Sequence, residues 1–469
     1  MKKIWINDIK DKIGETVELY GWVNVRRDHG KIIFIDLRDR SGVAQLVFTP
    51  QNEELYKIAE TLRSEWVLFV KGEVVERPKG MQNSEIETGK VEVKVEELKI
   101  LNQSETPPFP LDSVGHEIEE ELRLKYRYLD LRRERLKNNL ILRHKVIKFM
   151  RDYLSDLGFL EIETPILTKS TPEGARDYLV PSRIYPWHFY ALPQSPQQYK
   201  QLLMIAGFEK YFQIAKCFRD EDTRGDRQPE FTQLDLEMSF VEREDIFELV
   251  ENLYKEMVGE IVPNKKITQF PFPRLTYKEV IEKYGSDKPD LREDKNNSNE
   301  LAFLFIYDFP MFKQDKEKKW DYEHHPFTMM NEDDLKYLQE GDRTDSSRPL
   351  GKIRANSYDL VLNGYELASG SIRIHNLETQ KKVFKALDLT DEVIERKFGH
   401  MMEAFKYGVP PHGGIAPGID RFVMILANEP NIREVIAFPK TGDASDPMME
   451  SPSEIEDEQW QELHLKKGK

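Results

Sequence analysis

From Gln233 to Phe240 polar and apolar side chains alternate without a break. In an extended strand Leu234, Leu236, Met238 and Phe240 then share one face, and Gln233, Asp235, Glu237 and Ser239 share the other. Such a strand demands an apolar layer on one side and either water or a polar site on the other. The residues before it, 212–219, end in Phe218 and Arg219 and form the matching strand of a hairpin. Their connection, 220–228, carries Asp220, Glu221 and Gln228 and is long for a hairpin; long ordered loops are commonly functional. A solvated sheet face would satisfy the alternation too, but a polar floor beside Arg219 and Glu221 suits a charged small molecule.

Prolines at 107, 108 and 110 forbid both helix and central strand and divide the 469-residue chain. The expected organisation is a first domain at 1–104, a linker at 105–135 and a second domain at 136–469. The first reads as short strands at 17–25, 31–39, 43–48, 65–75 and 91–101 with a helix at 52–62, the plan of an OB-fold, the oligonucleotide-binding β-barrel. In its second strand Ile33, Ile35 and Leu37 face one way and Phe34, Asp36 and Arg38 the other, near Arg26, Arg27 and Lys31. An exposed ring among arginines is what stacking on an unpaired base requires, unless a neighbouring loop covers it. The second domain opens with an amphipathic helix at 136–157, stopped by Gly158, and continues with more strands than helices, one hairpin turning at Asn363-Gly364. Its expected class is α+β, an antiparallel β-sheet flanked by helices.

The net charge of -15 weighs mildly against a nucleic-acid partner, but the acidic residues crowd into 443–462, read as a solvated end, while the N-terminal part is nearly balanced. A single cysteine, Cys217, excludes an internal disulfide and a Cys-based zinc site and fits a reducing compartment. The mixed polar and apolar start predicts no leader, and no apolar run approaches the roughly 20 residues of a membrane span. The expected location is cytoplasmic.

Two further constellations put charge where it needs a partner. With Asn363-Gly364 as the turn, Val361 pairs with Glu366, and Asp359 lies diagonally from Glu366 on the same face. Two carboxylates so placed repel unless a cation joins them, as magnesium bridging to phosphate would; two solvated acids are the alternative. After Gly413 and Gly414, the run from Gly418, Ile419 and Asp420 turns apolar with helical spacing, which sets Arg421 in a helix's first turn. A cation is unfavourable there unless an anion such as phosphate lies opposite; a plain surface arginine is the other reading. The adjacent His324 and His325 could suggest a metal, yet neighbours on a strand point opposite ways and rarely chelate together.

In chain order, Phe-Leu-Glu-Ile-Glu-Thr-Pro at 159–165, Phe218-Arg219-Asp220-Glu221 with its return strand, and Gly418-Ile419-Asp420-Arg421 resemble motifs 1, 2 and 3 of the class II aminoacyl-tRNA synthetases. Further stretches resemble the bacterial aspartyl branch of that family: Glu-Gly-Ala-Arg-Asp-Tyr at 173–178, Gln-Ser-Pro-Gln at 194–197 followed by Lys200, Ser-Asp-Lys-Pro-Asp at 286–290, and His-His-Pro-Phe-Thr at 324–328. The resemblance spans nearly the whole chain. It implies an ATP-dependent ligase that forms aspartyl-adenylate and passes L-aspartate to tRNA. By it, Arg219 and Arg421 grip the α and γ phosphates of ATP, Glu221 and Gln228 contact the adenine end, and Asp220, Gly418, Ile419 and Asp420 complete the nucleotide site. Asp359 and Glu366 would hold Mg2+. Lys200 and Arg373 would pair with the aspartate side chain, while Glu173, Ser195, Gln197 and Asp235 surround its ammonium group and His324 closes over it from a mobile loop. Motif 1, with Pro165, would form a homodimer interface. In the barrel, Phe34 and Gln45 would read the anticodon beside Arg26, Arg27 and His29. The expected partner is tRNA-Asp. His29 stands where relatives that also aspartylate tRNA-Asn carry histidine, which extends the expectation to tRNA-Asn.

Two departures from the bacterial pattern stand out. A large domain between motifs 2 and 3 is replaced here by a short stretch at 292–300, and Ala368-Ser369-Gly370 replaces a run of three glycines. An asparaginyl-tRNA synthetase or an asparagine-forming relative would share the fold, but the cations Lys200 and Arg373 match an amide poorly. A non-catalytic tRNA-binding relative would not need the full set of ATP contacts.

Overall fold

The computed structural model describes residues 4–170 and 174–466. The chain divides into two compact units between Ile118 and Glu119. In the first, β1 (Thr16–His29), β2 (Ile32–Arg38), β3 (Val43–Phe48), β4 (Val67–Glu76) and β5 (Val91–Asn102) close into a barrel in the order β1-β2-β3-β5-β4. The helix α1 (Glu53–Thr61) follows β3 and starts where the Asn52 side chain accepts from the Leu55 amide. Ile33, Ile35 and Leu37 are buried in the barrel core with Leu19, Leu46, Val70 and Val93. Phe34, Asp36 and Arg38 are half-buried on the outside, as their alternation predicts.

The second unit is built on one eight-stranded sheet: β6 (Leu160–Glu161), β7 (Lys210–Phe218), β8 (Glu230–Ser239), β9 (Arg274–Thr276), β10 (Phe303–Tyr307), β11 (Ser357–Leu362), β12 (Tyr365–Ile372) and β13 (His412–Pro417). The spatial order is β9-β10-β11-β12-β13-β8-β7-β6. Interior pairs are antiparallel, as expected, and only the two edge strands β6 and β9 join in parallel. One face carries the core, in which Leu234 and Leu236 cluster with Met150 and Leu154 of α2 (Glu134–Asp156), Phe247 and Tyr254 of α4 (Arg243–Ile261), and Phe422 and Val423 of α5 (Ile419–Ala427). The short helix α3 (Gln197–Ile205) also packs on the sheet, against β7 and β8. Gly158 ends the α2 segment with φ +80, a left-handed conformation that costs glycine nothing.

Two sequence expectations change here. Phe240 does not join the apolar face of β8: its φ is 59, its amide donates to the Pro411 carbonyl, and it is 69% exposed, because the chain turns there to enter α4 through the Glu242–Asp245 capping box. The expected linker also contracts, since residues 119–135 belong to the second unit. Arg123 pairs with Glu434 at 2.7 Å, and Arg127 donates to the carbonyls of Arg433, Ile436 and Ala437. Arg133 and Arg127 both reach Asp130. The stretch at 292–300 is pinned rather than loose: Arg292 pairs with Asp290 at 2.8 Å, and the Lys265 ammonium donates to the Ser298 carbonyl and to Asn428. In the acidic tail the helix Asp457–Glu462 buries no residue. No helix among the described residues is long and apolar enough to cross a membrane.

Candidate active site

On the polar side of β8 lies a cavity of about 610 Å³. Gln233 and Asp235 line it, and they and Glu237 beside them are buried, which removes the solvated-face reading of the alternation. The cavity gathers Ser195, Gln197, Lys200, Arg219, Glu221, Gln228, Asp235, His324, Glu366, Arg373, Gly418, Asp420 and Arg421 from segments far apart in sequence. Glu173 lies outside the described residues.

At one end the charges form a closed set. Lys200 on α3 reaches Asp235 at 2.8 Å and Glu237 at 3.2 Å. Arg373, just past β12, grips Glu237 through two nitrogens at 2.9 and 3.1 Å and donates to His325 Nε2 at 2.8 Å. Gly414 of the neighbouring strand makes room, since a Cβ there would stand 2.1 Å from the Glu237 carboxylate. Burial works against the charge of Glu237, but Arg373 and Lys200 outweigh it and hold its carboxyl at about 2. Burial raises the Asp235 carboxyl against the opposing pull of Lys200 and, more weakly, of Arg373. Burial keeps both His324 and His325 below the ordinary imidazole range, so both are neutral, and Arg373 adds to the effect at His325. The two histidines have different surroundings, His324 edge-on to Phe309 at 5.1 Å and His325 against Arg373 and Phe327.

At the other end the Arg219 guanidinium stacks on Phe231 at 5.0 Å. Arg421 occupies the first turn of α5, and the anion opposite is Asp226 of the long hairpin loop, at 3.0 Å. Arg421 also donates to the Glu366 carbonyl. The Gln228 side-chain Oε1 accepts from the Lys440 backbone amide at 2.8 Å, while its Nε2 is buried without a partner among the described residues. Glu221 lies 3.5 Å from Arg227 on the exposed loop. Val361 pairs with Glu366 as expected; beyond a bulge between Leu360 and Val361, Asp359 stands opposite Ser369 and still feels the charge of Glu366. Burial, with Glu366 alongside, holds the Asp359 carboxyl well above the usual carboxylate range, and its Oδ1 is buried without a partner. An orphaned oxygen next to a second carboxylate fits a divalent cation completed by substrate oxygens.

Three expected nucleotide contacts sit differently. Ile419 is fully buried in the apolar core, so only its backbone can serve a ligand. The Asp420 carboxylate is spent on Arg143 of α2 and on the Thr232 amide of β8 at 2.7 Å. Asp220 does not line the cavity; its amide and carbonyl bond Arg176 on the rim.

Residues 119–442 match the family of class II tRNA synthetases (D, K and N), and residues 17–101 match the OB-fold nucleic acid binding domain. The chain is 43% identical to the aspartate–tRNA(Asp/Asn) ligase of Dehalococcoides mccartyi strain CBDB1, covering 97% of each chain. It is 44% identical to the enzyme of the same name from Rubrobacter xylanophilus, covering 97% of this chain and 94% of that one. The chain belongs to the aspartate–tRNA ligase family of class II synthetases. Its fold is also that of the asparaginyl-tRNA synthetase of Pyrococcus horikoshii complexed with asparaginyl-adenylate, with TM-score 0.74, 23% identity, and coverage of 94% of this chain and 98% of that one. The alignment with the Dehalococcoides relative runs over 592 positions against the 469 residues of this synthetase, so that relative carries residues with no counterpart here.

In the synthetase's barrel, Arg27, Phe34, Asp36 and Gln45 share one outer surface, with Arg27 opposite Phe34 and Asp36 opposite Gln45. Arg27 pairs with Asp36 at 2.7 Å, and the Gln45 amide donates to Glu92 at 2.9 Å. Arg26 is tied to Asp28 at 2.8 Å, and His29 is exposed at the β1–β2 turn next to Gly30. The sequence sets Glu237 on the polar floor and His325 in the tandem-histidine motif without giving either a role, and it gives none to Phe231 or Asp226. Alternation puts Phe231 on the face of Gln233 and Asp235, which is a usable signal; nothing local marks Asp226.

Proposed function

We propose that this ligase divides its work along the cavity as follows. Lys200 and Arg373 receive the side-chain carboxylate of aspartate, Gln197, Ser195, Glu173 and Asp235 surround its ammonium group, and Arg219 and Arg421 hold ATP on opposite sides. Phe231, under Arg219, offers a face for the adenine ring. His324, edge-on to Phe309 at the cavity wall, closes over the bound amino acid. The aspartate α-carboxylate attacks the α phosphorus, the bond to pyrophosphate breaks, and the terminal ribose hydroxyl of tRNA then displaces AMP from the aspartyl carbonyl. Catalysis on these terms is positioning and charge stabilisation rather than covalent chemistry. Mg2+, when bound, would neutralise phosphate charge, and Asp359 with Glu366 are the residues that would hold it.

The observation that carries the reading is the buried pair of cations, Lys200 and Arg373, at one end of a cavity whose other end holds Arg219 and Arg421. ATP–pyrophosphate exchange should proceed with aspartate and be at least about a hundredfold weaker with asparagine, whose amide leaves those cations unmatched. Equal exchange with both would reject the assignment.

The tRNA partners we infer are tRNA-Asp and tRNA-Asn. His29 at the barrel's β1–β2 turn and the tRNA(Asp/Asn) name borne by the relatives support this. Charging of both transcripts tests it, and an enzyme that leaves tRNA-Asn untouched refutes it. A homodimer is supported by exposed apolar side chains on and after motif 1, among them Leu160, Ile166, Leu167 and Trp187. A monomer in light scattering would reject that interface. The lone cysteine supports a cytoplasmic location, which a fluorescent fusion would check.

A further inference from the structure

We propose that Gln201 and His412 are positioning residues for the ammonium group of aspartate: a one-way hydrogen-bond chain running from the Pro410 carbonyl fixes which end of the Gln197 amide faces the cavity. The proposal rests on the reading above, in which Gln197 meets that ammonium.

The chain begins at an atom with no choice. A carbonyl oxygen can only accept, and His412 Nδ1 lies 2.8 Å from Pro410 O, so Nδ1 carries the proton. Nε2 of the neutral ring is then an acceptor, and it lies 3.2 Å from Gln201 Nε2. Gln201 therefore turns its nitrogen towards His412 and its oxygen towards Gln197 Nε2, again at 3.2 Å. What remains is Gln197 Oε1, which has no partner among the described residues, on a side chain that lines the cavity. Gln201 and His412 are fully buried and Gln197 nearly so, so water does not scramble the order of donors and acceptors. An ammonium group has three donors and no acceptor, and only the oxygen end of Gln197 can receive it. The reversed amide would set two N–H donors against it.

The groups facing His412 decide when the chain reverses. Burial opposes a second proton on the ring, as do Arg373 and His375, while Glu237 of β8 and the Pro410 carbonyl favour it, and the imidazole stays below its ordinary range. Once it takes that proton at acid pH, Nε2 becomes a donor, and Gln201 and then Gln197 must flip.

Two substitutions at one position separate this role from packing. Gln201→Met keeps the volume and breaks the chain. Gln201→Glu keeps an acceptor for Gln197 Nε2 and pairs with a protonated His412, so the direction of the chain survives. In ATP–pyrophosphate exchange, Gln201→Met should raise the KM for aspartate about tenfold, the scale of one lost charge-assisted hydrogen bond, with kcat and the KM for ATP within about twofold. Gln201→Glu should stay within about threefold of wild type and should lose the acid-side rise in aspartate KM that wild type shows. A packing role ranks the two variants the other way, because a buried carboxylate costs more than a thioether. Gln201→Glu weaker than Gln201→Met, an unchanged aspartate KM in Gln201→Met, or an acid-side rise that persists in Gln201→Glu overturns the proposal. The pH profile decides even if the Met variant fails to fold. Gln197→Ala is the separate control: an aspartate KM like that of wild type there would defeat the reading of Gln197 itself.

Discussion

Glu237 stands between Lys200 and Arg373, the two cations we propose as receivers of the aspartate side chain. Because Lys200 and Arg373 are already paired with Glu237 and Asp235, the buried set is neutral before substrate arrives, and Arg373 is fixed in direction by two contacts. Removing one partner of such a set strands the other charges, which is expensive in a buried site. The carboxyl of Glu237 falls from 4.5 to about 2 on folding, which corresponds to roughly 3 kcal/mol of stability. With the folded value depressed, that contribution is fully present above pH 4.5 and is lost as pH falls towards 2. Glu237→Gln should therefore cost about 3 kcal/mol in urea unfolding at neutral pH, and clearly less near pH 3. A difference from wild type that did not shrink in acid would refute the ionised assignment. At this scale the family resemblance points to Lys200, Asp235 and Arg373, and the structure brings all three to one cavity. Phe231 was missed for a physical reason: the face it shares with Gln233 and Asp235 reads as polar, and an aromatic at its start looks like core.

The hairpin and helix that hold the nucleotide end show what local pattern can and cannot convey. Strand alternation and helical spacing placed β7, β8 and α5 correctly, because those signals repeat every two or three to four residues. The segment 119–135 reads as linker in the sequence because its ties have no period. Arg123 and Glu434 are 311 positions apart, and the three arginines 123, 127 and 133 act through carboxylates and carbonyls rather than an apolar stripe. Asp420 has ties that local pattern does not convey either. Its position beside Arg421 points to ATP, but both of its oxygens bind α5 to its neighbours, one to Arg143 of α2 and one to the Thr232 amide of β8. We infer that Asp420, which lines the cavity while tied to these neighbours, helps to aim the adjacent Arg421. Asp420→Asn keeps one acceptor and loses the ion pair, leaving Arg143 uncompensated. We expect the KM for ATP in pyrophosphate exchange to rise about tenfold with aspartate KM changed less than threefold. An equal rise in both would show a general loosening of the site.

At the scale of the whole chain, the two units have separate cores, one of barrel residues such as Ile35 and Leu46 and one around the large sheet. Amino-acid activation and tRNA reading should therefore be separable by single substitutions. Phe34 tests this directly. Its ring is half-buried on the barrel's outer surface, opposite Arg27 on one strand and Val47 on the other, and it lies outside the barrel core formed by its neighbours Ile33 and Ile35. Phe34→Ala therefore leaves the barrel's packing nearly intact while removing a stacking surface worth about 1–3 kcal/mol per base. Aminoacylation efficiency, as kcat/KM for tRNA, should fall about tenfold to a hundredfold for tRNA-Asp and tRNA-Asn alike, since both would meet the same ring. Pyrophosphate exchange, which needs no tRNA, should be unchanged, and the variant's thermal unfolding should match that of wild type. If exchange fell in step with aminoacylation, the two units would share more than a chain, and the division of labour argued from their separate cores would fail.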